Sequence, residues 1–149
     1  MSDFDQPISA IGRQRHRRAV FELVNRERTS HGLPRLTFAR SLSLSARAWA
    51  RALSRESKFT HGDFAKRVLR FPFVLRSRAG WKVAENLAWG TGAESTPRRI
   101  VASWMASPEH RANILGNWRY GAVWTQRDAP APGQQPNSVI VVQHFGRRS

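Results

Sequence analysis

The sequence predicts an α+β fold in which a small β-sheet is covered by helices. Helical periodicity dominates the first part of the chain, and β-branched apolar runs appear only near its end. An extended apolar segment and two consecutive helix starts lie between them. The late strands are expected to pair with the earlier extended segment, so the strands form one small sheet. The helices are then expected to pack on the faces of that sheet. The length of 149 residues fits one domain.

The chain is expected to begin with a loose lead-in over residues 1–12, followed by a single domain over residues 13–149. The first helix of that domain is predicted over residues 13–31. Apolar residues recur on one face there, and arginines occupy much of the rest. The apolar face carries Val20 and Val24.

A second helix is predicted over residues 41–57. Its apolar residues step by four, three and four positions, as one face of a helix requires; they are Leu42, Ala46, Trp49 and Leu53. Trp49 is therefore expected in the core rather than in a ligand site. The polar segment 59–64 then predicts a turn, and residues 66–78 predict a short helix followed by a loop.

Two helix starts follow one another in the second half of the chain. Thr96 can cap the first helix with Pro97 in its first turn, and Ser107 with Pro108 repeats the signal. Trp104 falls on the apolar face of the first of these helices. We therefore expect its side chain in the core.

Three segments predict the strands of the sheet. Residues 81–89 are extended and largely apolar, and residues 120–126 alternate loosely between apolar and polar side chains. Residues 138–145 form a near-continuous apolar run rich in β-branched residues, which indicates a central strand. Residues 128–137, rich in Pro, Gly and Gln, are expected to form a turn region.

The composition excludes several kinds of site and leaves an anionic partner open. The chain has no cysteine, which rules out disulfides and thiolate metal sites. Its formal net charge is +15, and nearly all the positive charge is arginine. Arginine suits phosphate and carboxylate, so nucleic acid, anionic lipid or an anionic polymer is one interpretation, and solvated helix faces are the other. Because no nucleic-acid-binding motif is present, we expect no specific nucleic-acid recognition.

Two further patterns concern membranes and export. No apolar run approaches the roughly 20 residues that span a bilayer. Residues 1–12 lack the basic-then-apolar order of a signal peptide. Either the protein stays inside the cell, or a leader has been removed.

Two of the five histidines are candidates for a functional site. His16 lies among arginines and is expected on a solvated helix surface, and His31 ends the first helix. His144 lies within the last strand and could be buried and hydrogen-bonded. His61 and His110 remain, and both fall in turns or helix starts, where function concentrates. Because a helix N-terminus disfavours protonation, a neutral, metal-competent His110 is expected.

Glu85 is the unusual acid of this sequence. It lies in an otherwise apolar extended segment, so it must be paired, ligating or protonated. Two interpretations stay open: Glu85 pins a loop through backbone N–H groups, or it belongs to a functional site. Glu109, in the opening turn of a helix, needs no role beyond its favourable interaction with the helix dipole. The fingerprints of serine hydrolases, zinc proteases and nucleotide-binding proteins are missing.

Taken together, these motifs resemble the CAP superfamily (the SCP, or cysteine-rich secretory protein, antigen 5 and PR-1 domain), in its bacterial branch. The resemblance spans residues 17–146. Six segments carry it, in the family's order and spacing: residues 23–36, 59–61 (Phe-Thr-His), 84–88 (Ala-Glu-Asn-Leu-Ala), 95–115 (ending Ser-Pro-Glu-His-Arg-Ala-Asn-Ile-Leu), 120–121 (Tyr-Gly) and 142–146 (Val-Gln-His-Phe-Gly).

The resemblance implies an α-β-α sandwich, with a small, largely antiparallel sheet between helical layers. It also implies a surface cleft lined by two histidines and two acids, which binds zinc or another divalent ion in some members. Carried over residue by residue, His61, Glu85 and His110 fill three of those places, and Glu109 is the candidate for the fourth. Ser107 stands where animal and plant members have a glutamate.

One function is expected, and two alternatives stay open. We expect a non-enzymatic domain whose cleft binds a ligand (a lipid, a sterol-like molecule or another compound) or a divalent metal through His61 and His110. Glu85 would serve as a third ligand or as a hydrogen-bond partner of an imidazole. The first alternative is a zinc-dependent hydrolase in which Glu85 activates the metal-bound water. The second is an electrostatic binder of anionic polymers or membranes.

The resemblance also guides the expected setting of the protein. Family members act outside the cell or in the cell envelope, so this location is expected despite the missing signal peptide. A monomer is expected, and no cofactor is expected to be required for folding.

Overall fold

The computed structural model describes residues 2–56, 60–62, 81–127 and 138–148. The helices within these ranges are α1 (Ile8–Ser30), α2 (Arg40–Glu56), α3 (Pro97–Ala106) and α4 (Pro108–Ile114). The strands are β1 (Thr37–Phe38), β2 (Trp81–Thr91), β3 (Tyr120–Arg127) and β4 (Ser138–Arg148). Short 3₁₀ turns lie at Asp3–Asp5 and Gly92–Ser95.

The four described strands form one sheet in the order β1-β3-β4-β2. Strand β4 pairs antiparallel with both β2 and β3, whereas β1 pairs parallel with β3. This order confirms the α+β class, the central position of the last strand and its pairing with the earlier extended segment. Strand β1 was not predicted, because a pair of residues is too short to carry a periodic pattern.

Alternation along β4 divides the core between the two faces of the sheet. Val139 and Val141 pack with residues of α1, α3 and α4 on one face. Ile140 and Val142 pack with residues of α2 on the other. Successive side chains of a strand point to opposite faces, so the apolar run of β4 contributes to both layers. The result is the α-β-α sandwich that the resemblance implied.

The start of α3 follows its sequence signal, and the start of α4 does so only in part. The Thr96 hydroxyl accepts a hydrogen bond from the backbone N–H of Arg99 at 3.2 Å, which confirms this N-cap. Pro108 begins α4 as expected, but the Ser107 side chain makes no capping hydrogen bond, so that detail of the prediction is wrong. Trp104 is 1% exposed and donates from its indole N–H to the Leu87 carbonyl at 2.9 Å, which confirms its place in the core.

The N-terminal segment, expected to be loose, has defined structure in residues 2–12. Helix α1 begins at Ile8, whose side chain is fully buried in the core. Gly12 interrupts the helix with φ of 77° and ψ of 170°, a conformation that essentially only glycine adopts without strain. Before the helix, Asp5 pairs with Arg98 of α3. The kink at Gly12 and the ion pair place this segment against the rest of the fold.

His16 is buried in the interior, and the expectation of a solvated side chain was wrong. Its Nδ1 lies 2.9 Å from the Thr125 hydroxyl, and its Nε2 hydrogen-bonds with the Ser95 carbonyl. His16 precedes Val20 by four positions, so it lies on the buried face of α1 despite the arginines around it. Burial lowers the pKa of His16, and the hydrogen bond to the Ser95 carbonyl opposes this effect.

Some predictions lie outside the described residues. These are the short helix and loop of residues 66–78, the turn region of residues 128–137, and residues 59, 63 and 64 of the predicted polar turn. Within the described part of the chain, the helices are too short or too polar to cross a bilayer.

Candidate functional site

Glu85 is the buried centre of the candidate site. It lies on β2 directly opposite His144 of β4 in the antiparallel ladder. Its side chain is 1% exposed. Leu87, two residues after Glu85 on β2, and Val142, two residues before His144 on β4, pack against α2. Alternation therefore places Glu85 and His144 on the α2 face of the sheet.

Each oxygen of the Glu85 carboxylate is hydrogen-bonded to one imidazole. Oε1 lies 2.7 Å from Nδ1 of His61, and Oε2 lies 2.7 Å from Nε2 of His144. With Glu85 ionised, both ring nitrogens donate and both oxygens accept. Glu85 is thus paired, as an acid in an apolar segment must be, and two imidazoles are among its partners.

Ser45 of α2 extends this network on the far side of His144. The Ser45 hydroxyl oxygen lies 2.6 Å from Nδ1 of His144 and 2.9 Å from the Leu42 carbonyl oxygen. The single hydroxyl proton of Ser45 goes to Nδ1 when His144 is neutral and donates from Nε2, and it goes to the Leu42 carbonyl when Nδ1 is itself protonated. Ser45 is 2% exposed and His144 is fully buried. A substrate therefore cannot reach this serine, and the network is structural at that end.

His61 lies at the exposed end of the network, next to a segment that α2 holds in place. The His61 side chain is 54% exposed, in contrast to the buried Glu85. The indole N–H of Trp49 donates to the carbonyl of Thr60 at 2.9 Å. Trp49 itself packs against the core on the α2 face, as expected. One side chain of α2 therefore joins the core to the residue that precedes His61.

His110 is tied to β2 through its backbone. The Asn86 side-chain amide donates to the His110 carbonyl at 3.1 Å. The Asn113 amide donates to the Glu85 carbonyl at 3.1 Å and to the Asn86 side-chain oxygen at 3.0 Å. The hydrogen bonds of these two asparagines therefore connect α4 to β2 at Glu85, the residue that binds His61.

Burial and a neighbouring charge together favour the neutral form of His110. Burial lowers the pKa of His110, the charge of His61 lowers it further, and Glu109 opposes both effects. A neutral His110 was expected from its place in the helix start, but burial is the main cause. Glu109 is exposed and acts on His110 through its charge, and the described residues give it no hydrogen-bond partner.

His61 and His110 are the side chains of the site that could hold a divalent ion. Imidazole is a ligand that zinc and related ions accept readily, and His61 and His110 would supply two. Among the described residues, no group of three or more His, Asp or Glu side chains is arranged to hold a metal. Both oxygens of Glu85 are engaged by imidazoles. These residues suit labile binding through two imidazoles, and not a closed site with four protein ligands.

Sequence reasoning missed part of the network. His144 was expected to be buried and hydrogen-bonded, which is confirmed, but it was not assigned to the site. Its partner follows from the β2–β4 register, in which Glu85 and His144 are paired. Asn86 and Asn113 lie within segments that carry the family resemblance, so the sequence indicated their motifs. It did not indicate the contacts that these side chains make. Nothing in the sequence indicated that Ser45 belongs to this network, apart from its position on the second predicted helix.

Comparison with known proteins identifies the family. The sequence matches the family described as "CAP: Cysteine-rich secretory protein family" over residues 21–129, well over half of the chain. It is also similar to "Uncharacterized protein YkwD" of Bacillus subtilis (strain 168), with 34% identity over 124 residues. That match covers 75% of this chain but 46% of the relative, so the chain spans about half the length of the protein it matches.

Solved structures show the same fold. An outer surface protein from Borrelia burgdorferi matches with a TM-score of 0.69 at 20% identity, over 89% of this chain and 92% of its own. An extracellular protein containing a SCP domain from Bacillus anthracis str. Ames matches with a TM-score of 0.69 at 21% identity, over 91% of this chain and 41% of its own. These two likenesses concern the fold, whereas the sequence match over residues 21–129 establishes that the chain belongs to the cysteine-rich secretory protein (CAP) family, in its bacterial branch.

Proposed function

We propose that this CAP domain is a non-enzymatic binding protein whose cleft takes a divalent metal ion, or a ligand with equivalent chemistry, through His61 and His110. The observation that supports it best is the 2.7 Å hydrogen bond from Nδ1 of His61 to the buried Glu85 carboxylate. A carboxylate that holds one ring nitrogen fixes the tautomer and leaves the lone pair on the other. In neutral His61 that lone pair is on Nε2.

His110 would supply the second imidazole. Its pKa is lowered by burial and by the neighbouring His61, so protons compete less for its nitrogen at neutral pH. The asparagine contacts to β2 limit the movement of its backbone relative to Glu85. When bound, a divalent ion would supply a Lewis acid whose remaining positions are open to an exogenous anion or carbonyl group.

The hydrolase alternative has weaker support. Catalytic zinc usually has three protein ligands, whereas this site offers two imidazoles. The general base of such a mechanism would be Glu85, but both of its oxygens accept hydrogen bonds from imidazoles and its side chain is 1% exposed. A base in this position would have to break one of these bonds before it could take a proton from water.

We further propose that the protein acts outside the cytoplasm, as a secreted or envelope protein. Two of the structural matches are described as an outer surface protein and an extracellular protein. Fractionation of the source cells, with an antibody against this chain, tests this location. Recovery with the cytoplasmic markers alone would refute it.

Isothermal titration with zinc at pH 7.5 tests the proposed binding. We expect saturable binding of weak to moderate affinity that is lost in the double variant His61→Ala/His110→Ala. His31→Ala, which removes an exposed histidine outside the site, is the matched control and should bind as the parent does. Because protons compete with the metal for imidazole nitrogens, affinity should fall when the titration is repeated near pH 5.5. Unchanged zinc binding in the double variant would place the ligands elsewhere.

A second measurement tests the non-enzymatic part of the proposal. Zinc-loaded parent protein and the double variant are compared for peptidase and esterase activity on unstructured substrates. Equal rates are expected. A rate in the parent that exceeds that of the double variant and depends on Glu85 would favour the hydrolase alternative.

A further inference from the structure

A cavity of about 590 Å³ lies between the segments that follow α1 and α4 and the C-terminal end of β4. Its walls are residues 34, 35 and 37 before and in β1, residues 117–120 before and at the start of β3, and residues 147–148 of β4. None of these described lining residues belongs to the histidine site. The cavity is therefore a separate feature of the fold.

The lining of this cavity is strongly positive. It includes Arg35, Arg119, Arg147 and Arg148, and none of its described lining residues is acidic. Arg35 is already paired with Glu22, its Nη2 lying 2.6 Å from Oε2 of that carboxylate. Two of the other guanidinium groups make no ion pair with a carboxylate among the described residues, and that of Arg119 also lies over the Tyr120 ring, 5.6 Å from its centroid. Arg119 Nε donates to the Tyr120 hydroxyl at 3.3 Å, and Arg147 donates to the Arg148 carbonyl at 3.4 Å.

The walls of the cavity are held in place from behind by Arg28, a fully buried residue of α1. Its guanidinium group donates to four backbone carbonyls, and it has no carboxylate partner in the described part of the chain. The four acceptors, at distances of 2.8–3.2 Å, are the carbonyls of Pro34, Ile114, Gly116 and Trp118. Pro34 and Trp118 are themselves lining residues. One buried cation thus fixes two walls relative to each other.

Backbone pairing adds to this rigidity. The N–H of Thr37 donates to the Arg119 carbonyl at 2.8 Å, which joins the β1 wall to the wall before β3. The N–H of Arg119 donates to the Gly146 carbonyl at 3.2 Å, which joins the latter to the end of β4. Arg119 and Arg147 are therefore presented by a preorganised backbone, and binding would cost little ordering of the chain.

We propose that this cavity binds an oligoanion that carries two or more phosphate groups. Guanidinium groups pair with phosphate through forked, charge-assisted hydrogen bonds, and Arg119 and Arg147 have no carboxylate that competes for them among the described residues. A volume of about 590 Å³ is far larger than a single phosphate ion requires and accommodates a chain of them. The aromatic side chains of Trp118 and Tyr120 are part of the same lining.

The proposal differs from general attraction to a basic surface. The net charge of +15 attracts any polyanion, and that attraction depends on how many charges are removed and not on which ones. A built site depends on particular arginines. Two double variants that remove the same charge at different places therefore separate the two cases.

Isothermal titration with sodium tripolyphosphate, in about 150 mM NaCl to screen the general surface attraction, tests the site. The parent should bind one tripolyphosphate per chain. Arg119→Gln/Arg147→Gln should weaken this binding by about tenfold or more, because two charge-assisted contacts are lost. The control Arg13→Gln/Arg51→Gln removes two exposed arginines outside the cavity, and its affinity should stay within about twofold of the parent.

Three outcomes would overturn the proposal: no saturable binding by the parent, equal weakening in both double variants, or equal binding of citrate, which would show that phosphate is not preferred. Thermal melting without ligand establishes that the variants fold. If the double variant is unstable, the single variants Arg119→Gln and Arg147→Gln decide the question, and each should weaken binding more than Arg13→Gln does.

Discussion

Glu85 and His144 face each other across the β2–β4 ladder, and Oε2 of Glu85 lies 2.7 Å from Nε2 of His144. Both side chains are buried, so this contact replaces hydration that both polar groups lose on folding. The same carboxylate also holds the exposed His61. The stability of the fold and the geometry of the candidate site therefore both depend on Glu85.

Glu85→Ala should lower the free energy of unfolding by about 1–3 kcal/mol, because it leaves the buried imidazole of His144 without its partner. Urea denaturation at neutral pH measures the change. Glu109→Ala removes an exposed acid from the same region and should stay within about 0.5 kcal/mol of the parent. Equal stability of the two variants would mean that the buried network contributes nothing to the fold.

Trp104→Ala should lower the free energy of unfolding by about 3–5 kcal/mol, since a large core aromatic is replaced by a cavity. Trp104→Phe keeps most of the packing and loses the hydrogen bond to the Leu87 carbonyl, so it should cost only about 1 kcal/mol. The same urea experiment ranks the two variants. A loss below about 1 kcal/mol for the alanine variant would contradict the buried position of this indole.

Stability should fall as the pH is lowered below about 6.5, partly because of His16. Burial lowers the pKa of His16 in the folded state, so on acidification the unfolded chain takes up a proton that the folded chain does not. Each such group adds a slope of up to about 1.4 kcal/mol per pH unit between its two pKa values. His16→Gln, with unfolding measured by urea at pH 7 and pH 5, should show a smaller loss than the parent. An equal loss would show that His16 titrates alike in both states.

Arg28→Lys should destabilise the fold by at least about 2 kcal/mol, although it keeps the charge. A lysine ammonium group is a point donor and cannot reach the four carbonyls that the guanidinium group joins. Arg18→Lys, an exposed change on the same helix, should stay within about 0.5 kcal/mol. Urea midpoints of the two variants make the comparison, and similar midpoints would remove Arg28 from its proposed structural role.

The features that were predicted correctly have local causes. The Thr96 cap, the apolar face with Trp104 and the β-branched run of β4 each depend on residues close together in sequence. The class of the fold follows from the order of such elements. The kink at Gly12 and the short strand β1 carry no periodic signal, so the sequence could not reveal them.

The sequence named candidate residues for the site, but it did not show how they connect. His61, Glu85 and His110 were singled out by their places in the chain and then by the resemblance, whereas the pairing of Glu85 with His144 needed the strand register. His16 shows a different failure: its spacing from Val20 indicated a buried face, but the arginines around it suggested solvent. In that case the helical position decided burial, and the local charge did not.

The central place of β4 has a consequence for how the chain matures on the ribosome. Strand β4 comes after all other described elements in chain order, yet it contributes to the cores on both faces of the sheet. Until residues 138–148 have left the exit tunnel, β2 and β3 have no strand between them, and the cores on both faces of the sheet lack the apolar side chains that β4 contributes. The nascent chain must therefore carry exposed apolar surface through most of its synthesis, which makes this interval the period when aggregation or chaperone capture competes with folding.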